Sequence, residues 1–164
     1  MEIEKKFLLK EMPRHLDTYE KKVMEQGYLC KDPVVRIRRS NEDYILTYKS
    51  KMGLADQQDG DVRVNHEVEV PLNRQGYEHL REKIDGNLIR KCRYLIPLAD
   101  GHTGELDIFE GPLKGLSFIE VEFRDQDDSA AFEPPEWFGE NVSDDHRYSN
   151  SFLSGCSDLS VFSG

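Results

Sequence analysis

The segment EIEKKF at residues 2–7 shows the pattern that decides the fold. Glu2 and Glu4 repeat one charge at positions i and i+2, whereas Ile3 and Phe7 have the opposite parity. Because successive side chains of a β-strand point to opposite faces, this spacing separates charged from apolar groups. The segment therefore predicts a strand with one strongly charged face and one apolar face.

The same alternation recurs along most of the chain. Strands are predicted over residues 2–8, 26–29, 34–39, 44–51, 62–70, 89–97, 104–109 and 117–124. Like-charged pairs stand at i and i+2 in Glu2/Glu4, Arg36/Arg38, Lys49/Lys51, Glu67/Glu69, Lys91/Arg93, Glu105/Asp107 and Glu120/Glu122. A solvated sheet face usually mixes signs, but here acidic and basic strands are segregated. These strands with a few flanking helices indicate a mainly β (α+β) fold, and eight antiparallel strands are enough for a closed barrel, which the family resemblance described below implies.

Two segments have helical spacing, and the domain limits follow from composition. Apolar residues recur on one side of 13–24 and of 73–84, and Gly86 follows the second segment as a stop signal. We predict one domain over residues 1–153. The Ser- and Gly-containing segment 154–164 is predicted to be a flexible tail.

Composition excludes several classes of function. The chain of 164 residues carries 32 acidic and 22 basic groups, a formal net charge of -10, and this charge repels nucleic acids and anionic membranes at long range. No stretch approaches the roughly 20 apolar residues that span a bilayer, and no secretory pattern precedes the first strand. Cys30, Cys92 and Cys156 are odd in number and widely spaced, which is not typical of a disulfide framework or a thiolate zinc site. We therefore expect a cytoplasmic protein without nucleic-acid or membrane partners.

A closed barrel with these strands can bury either face. If the charged face lines the lumen, the enclosed charges must compensate one another or be compensated by a ligand. Clustered carboxylates suit Mg²⁺ or Mn²⁺, whereas Lys and Arg suit phosphate oxygens. A metal-bound chain of phosphates satisfies both groups, so a small-molecule polyphosphate is the expected partner.

The motif Glu2-x-Glu4-x-Lys6 resembles the start of the CYTH, or triphosphate tunnel metalloenzyme, superfamily. Further segments resemble that superfamily in the right order: 35–39, 46–51, 66–70, 90–94, 105–109, 119–123 and 144–150. The resemblance implies an eight-stranded barrel whose lumen is a tunnel for a triphosphate, with a divalent metal, Mg²⁺ or Mn²⁺, required. The short bacterial members that hydrolyse inorganic tripolyphosphate are the most similar, which implies a metal-dependent triphosphatase.

The resemblance also implies roles for individual residues. Metal ligands are expected at Glu2, Glu4, Glu120 and Glu122, with Glu105 and Asp107 as additional candidates. Phosphate-binding residues are expected at Lys6, Arg36, Arg38, Lys49, Lys51, Lys91, Arg93 and Arg147. Catalytic roles are expected for Glu2, Glu4, Lys6, Glu67 and Glu69, the last two matching an acidic strand that positions basic residues or water. His146 stands where related bacterial sequences often carry Lys.

Other functions stay open from the sequence. A non-catalytic polyphosphate- or nucleotide-binding module would keep the tunnel without hydrolysis, although a simple anion receptor gains nothing from carboxylate walls. A triphosphatase acting on nucleoside or thiamine triphosphate differs only at the tunnel entrance. An RNA-binding β-domain using residues 36–39 is disfavoured because no exposed aromatic side chains flank those arginines. The protein can be a monomer or a homodimer.

Overall fold

A computed structural model describes residues 1–58 and 60–163. The strands are β1 (Glu2–Leu9), β2 (Glu20–Lys31), β3 (Val34–Ser40), β4 (Asp43–Ser50), β5 (Arg63–Leu72), β6 (Asp85–Pro97), β7 (Thr103–Phe109), β8 (Ser117–Phe123) and β9 (Phe138–Asn141). The helices are α1 (Arg74–Arg81), α2 (Gln126–Ala131) and α3 (Asn150–Leu153). Within the described residues, none of these helices has the length and apolar character needed to cross a membrane.

Antiparallel pairing closes the sheet into a barrel. The order β5-β4-β3-β2-β6-β7-β8-β1 is completed by pairing of β1 with β5. On that edge of β1, Glu4 pairs with Arg63 of β5 and Leu9 pairs with Phe138 of β9. The predicted eight-stranded antiparallel barrel is therefore confirmed, and β9 extends it as an additional short strand. Closure removes the exposed sheet edges that an open sheet would present.

The prediction of a helix over residues 13–24 is wrong. Residues 13–24 contain only a short 3-10 turn at Leu16–Thr18, and β2 begins at Glu20. Strand β2 hydrogen-bonds to β3 on one side and β6 on the other, so pairing on both edges overrides the local helical spacing. The second helix is confirmed as α1, whose N-cap residue Asn73 accepts a hydrogen bond from the backbone of Gly76.

The apolar face of the barrel points outward and is covered by later parts of the chain. Ile3, Val64 and Ile119 are almost completely buried in a cluster that includes Phe132 and Phe138, which follow α2 and begin β9. Apolar burial beneath these segments supplies the main driving force for folding. It leaves the charged faces of the strands directed into the lumen.

At one end of the barrel the inward positions are apolar. Leu8, Ile89, Phe109 and Phe118 share the parity of the charged pairs on their strands, and they pack beneath Leu153 of α3. We call these four inward residues the apolar floor. The Phe109 and Phe118 rings lie 5.2 Å apart and are fully buried. The floor closes the lumen beside β6, β7, β8 and β1.

The C-terminal segment packs against this end of the barrel. The Phe162 ring lies 4.8 Å from the ring of Tyr148. The Asn87 backbone N–H donates to the Ser154 carbonyl at 2.7 Å. Gly86 adopts φ 71°, and a Cβ there would come within 2.6 Å of the Ser154 carbonyl oxygen. The described part of the segment after Leu153 thus has specific contacts, while the domain limit and the tail's flexibility stay predictions.

A histidine ties the turn before β7 to α2. His102 Nδ1 lies 2.8 Å from Asp100 and Nε2 lies 3.0 Å from Asp128. The imidazole contacts the rings of Phe123 and Phe132 edge-on. Against the effect of burial, hydrogen bonds to the two carboxylates raise the pKa of His102. The imidazole therefore connects Asp100 in the turn before β7 to Asp128 of α2.

Candidate active site

The charged strand faces line a cavity of about 520 Å³ inside the barrel, here called the tunnel. The predicted site residues that line it are Glu2, Glu4, Lys6, Arg36, Arg38, Lys49, Lys51, Glu67, Glu69, Arg93, Glu105, Glu120 and Glu122. Their alternation along each strand brings them to one space although they are distant in sequence. Three predicted residues, Lys91, Asp107 and Arg147, lie elsewhere.

Glutamates from β1 and β8 form an acidic wall. Glu4 pairs with Glu122 across the two strands, and the carboxyl groups of Glu4 and Glu120 are hydrogen-bonded to each other. Burial, followed by the charges of Glu120 and Glu2, raises the pKa of Glu4 well above its usual range. Against burial, Lys6 and Arg93 hold the pKa of Glu120 well below its usual range. Of these two carboxyl groups, Glu4 is therefore the one whose protonated form is favoured.

A lysine bridges the acidic wall to β5. Lys49 Nζ lies 3.0 Å from Glu2 and 3.3 Å from Glu67, while Asn65 donates to Glu2 at 3.2 Å. Despite burial, Glu4 and Glu2 raise the pKa of Lys49. This lysine is thus already neutralised by carboxylates of the tunnel.

Two arginines on β3 face the tunnel without a carboxylate partner. Arg36 is buried and donates to the Thr47 hydroxyl at 3.2 Å, but its Nε has no hydrogen-bond partner among the described residues. Arg38 donates through Nε to Gln26 at 2.9 Å. Across residues 1–58 and 60–163, neither guanidinium has an acidic side chain at salt-bridge distance. Burial and the charges of Arg36 and Arg93 lower the pKa of Arg38 to about 9. An anionic ligand would give both guanidinium groups an acceptor and would offset the burial and the positive charges that lower the pKa of Arg38.

Lys91 and Asp107 pair with each other beneath the tunnel. Asp107 accepts from Lys91 at 2.7 Å and from Arg93 Nε at 2.7 Å, and both Lys91 and Asp107 are 0% exposed. Complete burial lowers the pKa of Lys91 to about 7 despite the adjacent carboxylate. Lys91 also donates to Asn150 at 3.0 Å. The Asp107 carboxylate therefore contacts Lys91 and Arg93 and is not part of the tunnel lining.

Arg147 lies outside the tunnel. Its guanidinium donates to Asp145 at 2.6 Å and contacts the rings of Tyr148 and Phe162. The structure therefore does not bring Arg147 together with the other predicted phosphate-binding residues. His146, its neighbour, does line the tunnel.

Several tunnel residues were missed in the sequence. Lys22, Met24 and Tyr28 of β2 line the tunnel, and so does Ser143, whose hydroxyl accepts from the Lys6 backbone at 2.9 Å. Residues 22, 24 and 28 share one parity, which is the signal that could have found them. The helical interpretation of residues 13–24 concealed Lys22 and Met24, whereas Tyr28 lies in the strand predicted over residues 26–29, which has no like-charged pair to mark its inward face.

The acidic wall fits a hard divalent cation in its chemistry. Among the described residues no three His, Cys, Asp or Glu side chains are already arranged around a metal position. The wall nevertheless offers oxygen donors only, and a cation there would offset the neighbouring negative charges that raise the pKa of Glu4. Mg²⁺ or Mn²⁺ stays a prediction.

A closed antiparallel barrel with an acidic wall facing unpaired arginines defines a class, the triphosphate tunnel barrels of the CYTH superfamily. No family model matches the chain. The sequence is 37% identical over 155 residues to an inorganic triphosphatase of Nitrosomonas europaea, covering 93% of this chain and 95% of that protein. It is 36% identical over 161 residues to an inorganic triphosphatase of Acetivibrio thermocellus, covering 93% and 92%.

A solved structure supports the same relationship. The crystal structure of the inorganic triphosphatase NE1496 superposes with a TM-score of 0.68 at 34% identity, covering 97% of each chain. The chain belongs to the inorganic triphosphatase family.

Proposed function

We propose that this protein is a hydrolase that removes the terminal phosphate of inorganic tripolyphosphate inside the tunnel. The observation that carries the proposal is that one tunnel holds both the acidic wall and a basic wall formed by Arg36 and Arg38. Arg36 and Arg38 lack carboxylate partners among the described residues, whereas burial and the neighbouring carboxylates Glu120 and Glu2 raise the pKa of Glu4. A phosphate chain with its metal supplies the missing anion and the missing cation at once. The two family relatives, each named inorganic triphosphatase, support this substrate.

The basic wall would bind the phosphates. Planar guanidinium groups hold two phosphate oxygens at once, so Arg36 and Arg38 would fix the orientation of the chain. Lys6, whose pKa is lowered by burial, lies 3.9 Å from Glu120 and would face the boundary between the phosphates and the acidic wall. These contacts strengthen as negative charge develops on the leaving group.

The acidic wall would hold Mg²⁺ or Mn²⁺ through Glu2, Glu4, Glu120 and Glu122. When bound, such an ion neutralises phosphate charge and lowers the pKa of water. In the hydrolysis, a water oxygen bonds to the terminal phosphorus, the bond to the bridging oxygen breaks, and pyrophosphate leaves with the bridging oxygen. Glu67 and Glu69 stand at the tunnel and are proposed to orient that water.

Phosphate release tests the proposal directly. Purified protein is incubated with tripolyphosphate, ATP, thiamine triphosphate or pyrophosphate, each with Mg²⁺, Mn²⁺ or a chelator. We expect metal-dependent release that is fastest from tripolyphosphate. Binding of tripolyphosphate without turnover in any metal would instead identify an anion receptor, and faster release from ATP or thiamine triphosphate would overturn the substrate assignment.

A matched pair of arginine variants tests the tunnel. Arg38→Ala removes a charged contact to phosphate worth about 1.5–3 kcal/mol, so kcat/KM should fall roughly ten- to hundredfold. The control is Arg74→Ala on α1, because the Arg74 side chain is 75% exposed and its only ion pair, among the described residues, is with Glu78. Equal activity of the two variants would contradict the assignment of the tunnel as the active site.

The setting of the reaction is also proposed. Cys30, Cys92 and Cys156 are all free thiols. Free thiols are typical of a reducing compartment, which supports a cytoplasmic location. We propose a small-molecule polyphosphate as the partner of this site.

A further inference from the structure

Gln26 occupies the centre of the inward face of β2. It lies between Met24 and Tyr28, which both line the tunnel, and it is 0% exposed. In the sheet it stands opposite Arg38 of β3 on one side and Ile89 of β6 on the other. A neutral polar side chain thus lies beside Arg38, one of the two arginines that lack a carboxylate partner among the described residues.

The Gln26 amide is fixed by a single hydrogen bond. Arg38 Nε donates to Gln26 Oε1 at 2.9 Å. The Gln26 Nε2 group is buried and has no hydrogen-bond partner among the described residues. Exchanging the amide oxygen and nitrogen would place two donors against each other, so the contact with Arg38 determines the orientation.

A purely structural role does not account for this arrangement. A buried amide nitrogen without a partner is unfavourable, and an apolar side chain of similar size would avoid that loss. Arg38 gains from the contact, because anchoring at Nε leaves the two terminal nitrogens directed to the tunnel that Arg38 lines. The neutral amide also leaves the arginine charge uncompensated, whereas a carboxylate at this position would cancel it.

We propose that Gln26 is a positioning residue that orients the Arg38 guanidinium toward substrate phosphate without neutralising it. The inference rests on the proposed function, since it assigns phosphate as the ligand of Arg38. Gln26 would act through Arg38 and would not itself contact the reacting atoms.

A double-mutant cycle tests the coupling. Gln26→Leu should lower kcat/KM for tripolyphosphate about tenfold with little change in melting temperature, because the variant removes the unsatisfied amide nitrogen but also removes the acceptor of Arg38 Nε. Gln26→Glu should lower kcat/KM further by pairing with Arg38. In Gln26→Leu/Arg38→Ala the loss should equal that of Arg38→Ala alone. Gln26→Met, which keeps an unbranched side chain, is the second variant if Leu prevents folding.

Each outcome decides the inference. Additive losses in the double variant, or wild-type kcat/KM in Gln26→Leu, would overturn it. A fall in melting temperature together with unchanged activity would make Gln26 structural only. If the wild type releases no phosphate, the proposed function fails, and the same cycle is measured as the Kd of metal-free tripolyphosphate by calorimetry. Absence of binding by the wild type would then overturn the inference as well.

Discussion

Replacement of Asp107 by Asn is expected to destabilise the barrel strongly. The Asp107 carboxylate is 0% exposed and accepts from Lys91 at 2.7 Å and from Arg93 at 2.7 and 3.0 Å. Asn keeps the shape but removes the charge and places an amide donor among cationic donors. Lys91 is itself 0% exposed and its pKa is already lowered to about 7, so in the variant it either keeps a buried charge without its counter-ion or loses its proton, and both outcomes cost free energy.

The structure sets the size of the effect. Removing one partner of a buried ion pair costs about 3–5 kcal/mol. For a domain of this size each kcal/mol lowers the melting temperature by about 2–4 °C, so the expected fall is roughly 6–20 °C. The exposed pair between Arg74 and Glu78 is the control, because breaking it through Glu78→Gln should cost about 0.5 kcal/mol or less.

Thermal unfolding followed by circular dichroism measures both variants in metal-free buffer. Phosphate release from tripolyphosphate is recorded on the same samples. If Asp107→Asn melts within about 2 °C of the wild type, the reasoning from burial and ion pairing is refuted. If such a stable variant also loses its response to Mg²⁺, Asp107 would be a metal ligand, as the family resemblance implies.

Three further outcomes are expected. His102→Gln should lower the melting temperature more at about pH 5.5 than at about pH 8.5. The raised pKa of His102 stabilises the fold below the unfolded-state pKa of about 6.5, and this stabilisation is lost as the pH rises through the folded-state pKa. An equal difference at both pH values would contradict the ion-pair role. Gly86→Ala should cost more than the roughly 1–2 kcal/mol of a left-handed φ of 71°, because its Cβ would also lie 2.6 Å from the Ser154 carbonyl oxygen, and it should increase amide exchange after residue 153. Unchanged exchange would separate Gly86 from the C-terminal segment. Glu4→Gln should keep its metal-free melting temperature but lose metal-stimulated phosphate release, and a wild-type rate in Mg²⁺ would remove Glu4 from the proposed ligands.

The sequence predicted the charged strand faces for one physical reason, and the family resemblance implied that these faces line the lumen of a barrel. Two like charges at i and i+2, as in Glu2/Glu4 or Arg36/Arg38, define a strand face wherever the strand lies in the fold. Once the sheet closes, the pairing of the strands brings these faces into one lumen. Tunnel residues from seven strands were found in this way.

The remaining parts depended on tertiary structure. Spacing of apolar residues in 13–24 matches a helix as well as a strand, and only pairing with β3 and β6 decides it. Arg147 follows Asp145 by two residues and pairs with it, so the presence of a basic side chain was not enough to predict a position in the tunnel. The end of the charged lumen was visible in principle, because Phe109 and Phe118 continue the parity of Asp107 and Glu120.

The apolar floor also keeps water away from one side of two buried lysines. The Phe118 ring centre lies 4.2 Å from Lys6 Nζ and the Phe109 ring centre lies 5.4 Å from Lys91 Nζ, so these ammonium groups have aromatic carbon where a surface lysine would have water. Two unit charges 4 Å apart interact by about 1 kcal/mol in water but by about 4 kcal/mol at an effective dielectric constant near 20. By limiting polarisable solvent on one side, the floor directs the field of Lys6, which lines the tunnel, toward the tunnel, whereas the charge of Lys91 is paired with Asp107. A chain of phosphates there would meet a stronger potential than the formal charges of its walls suggest.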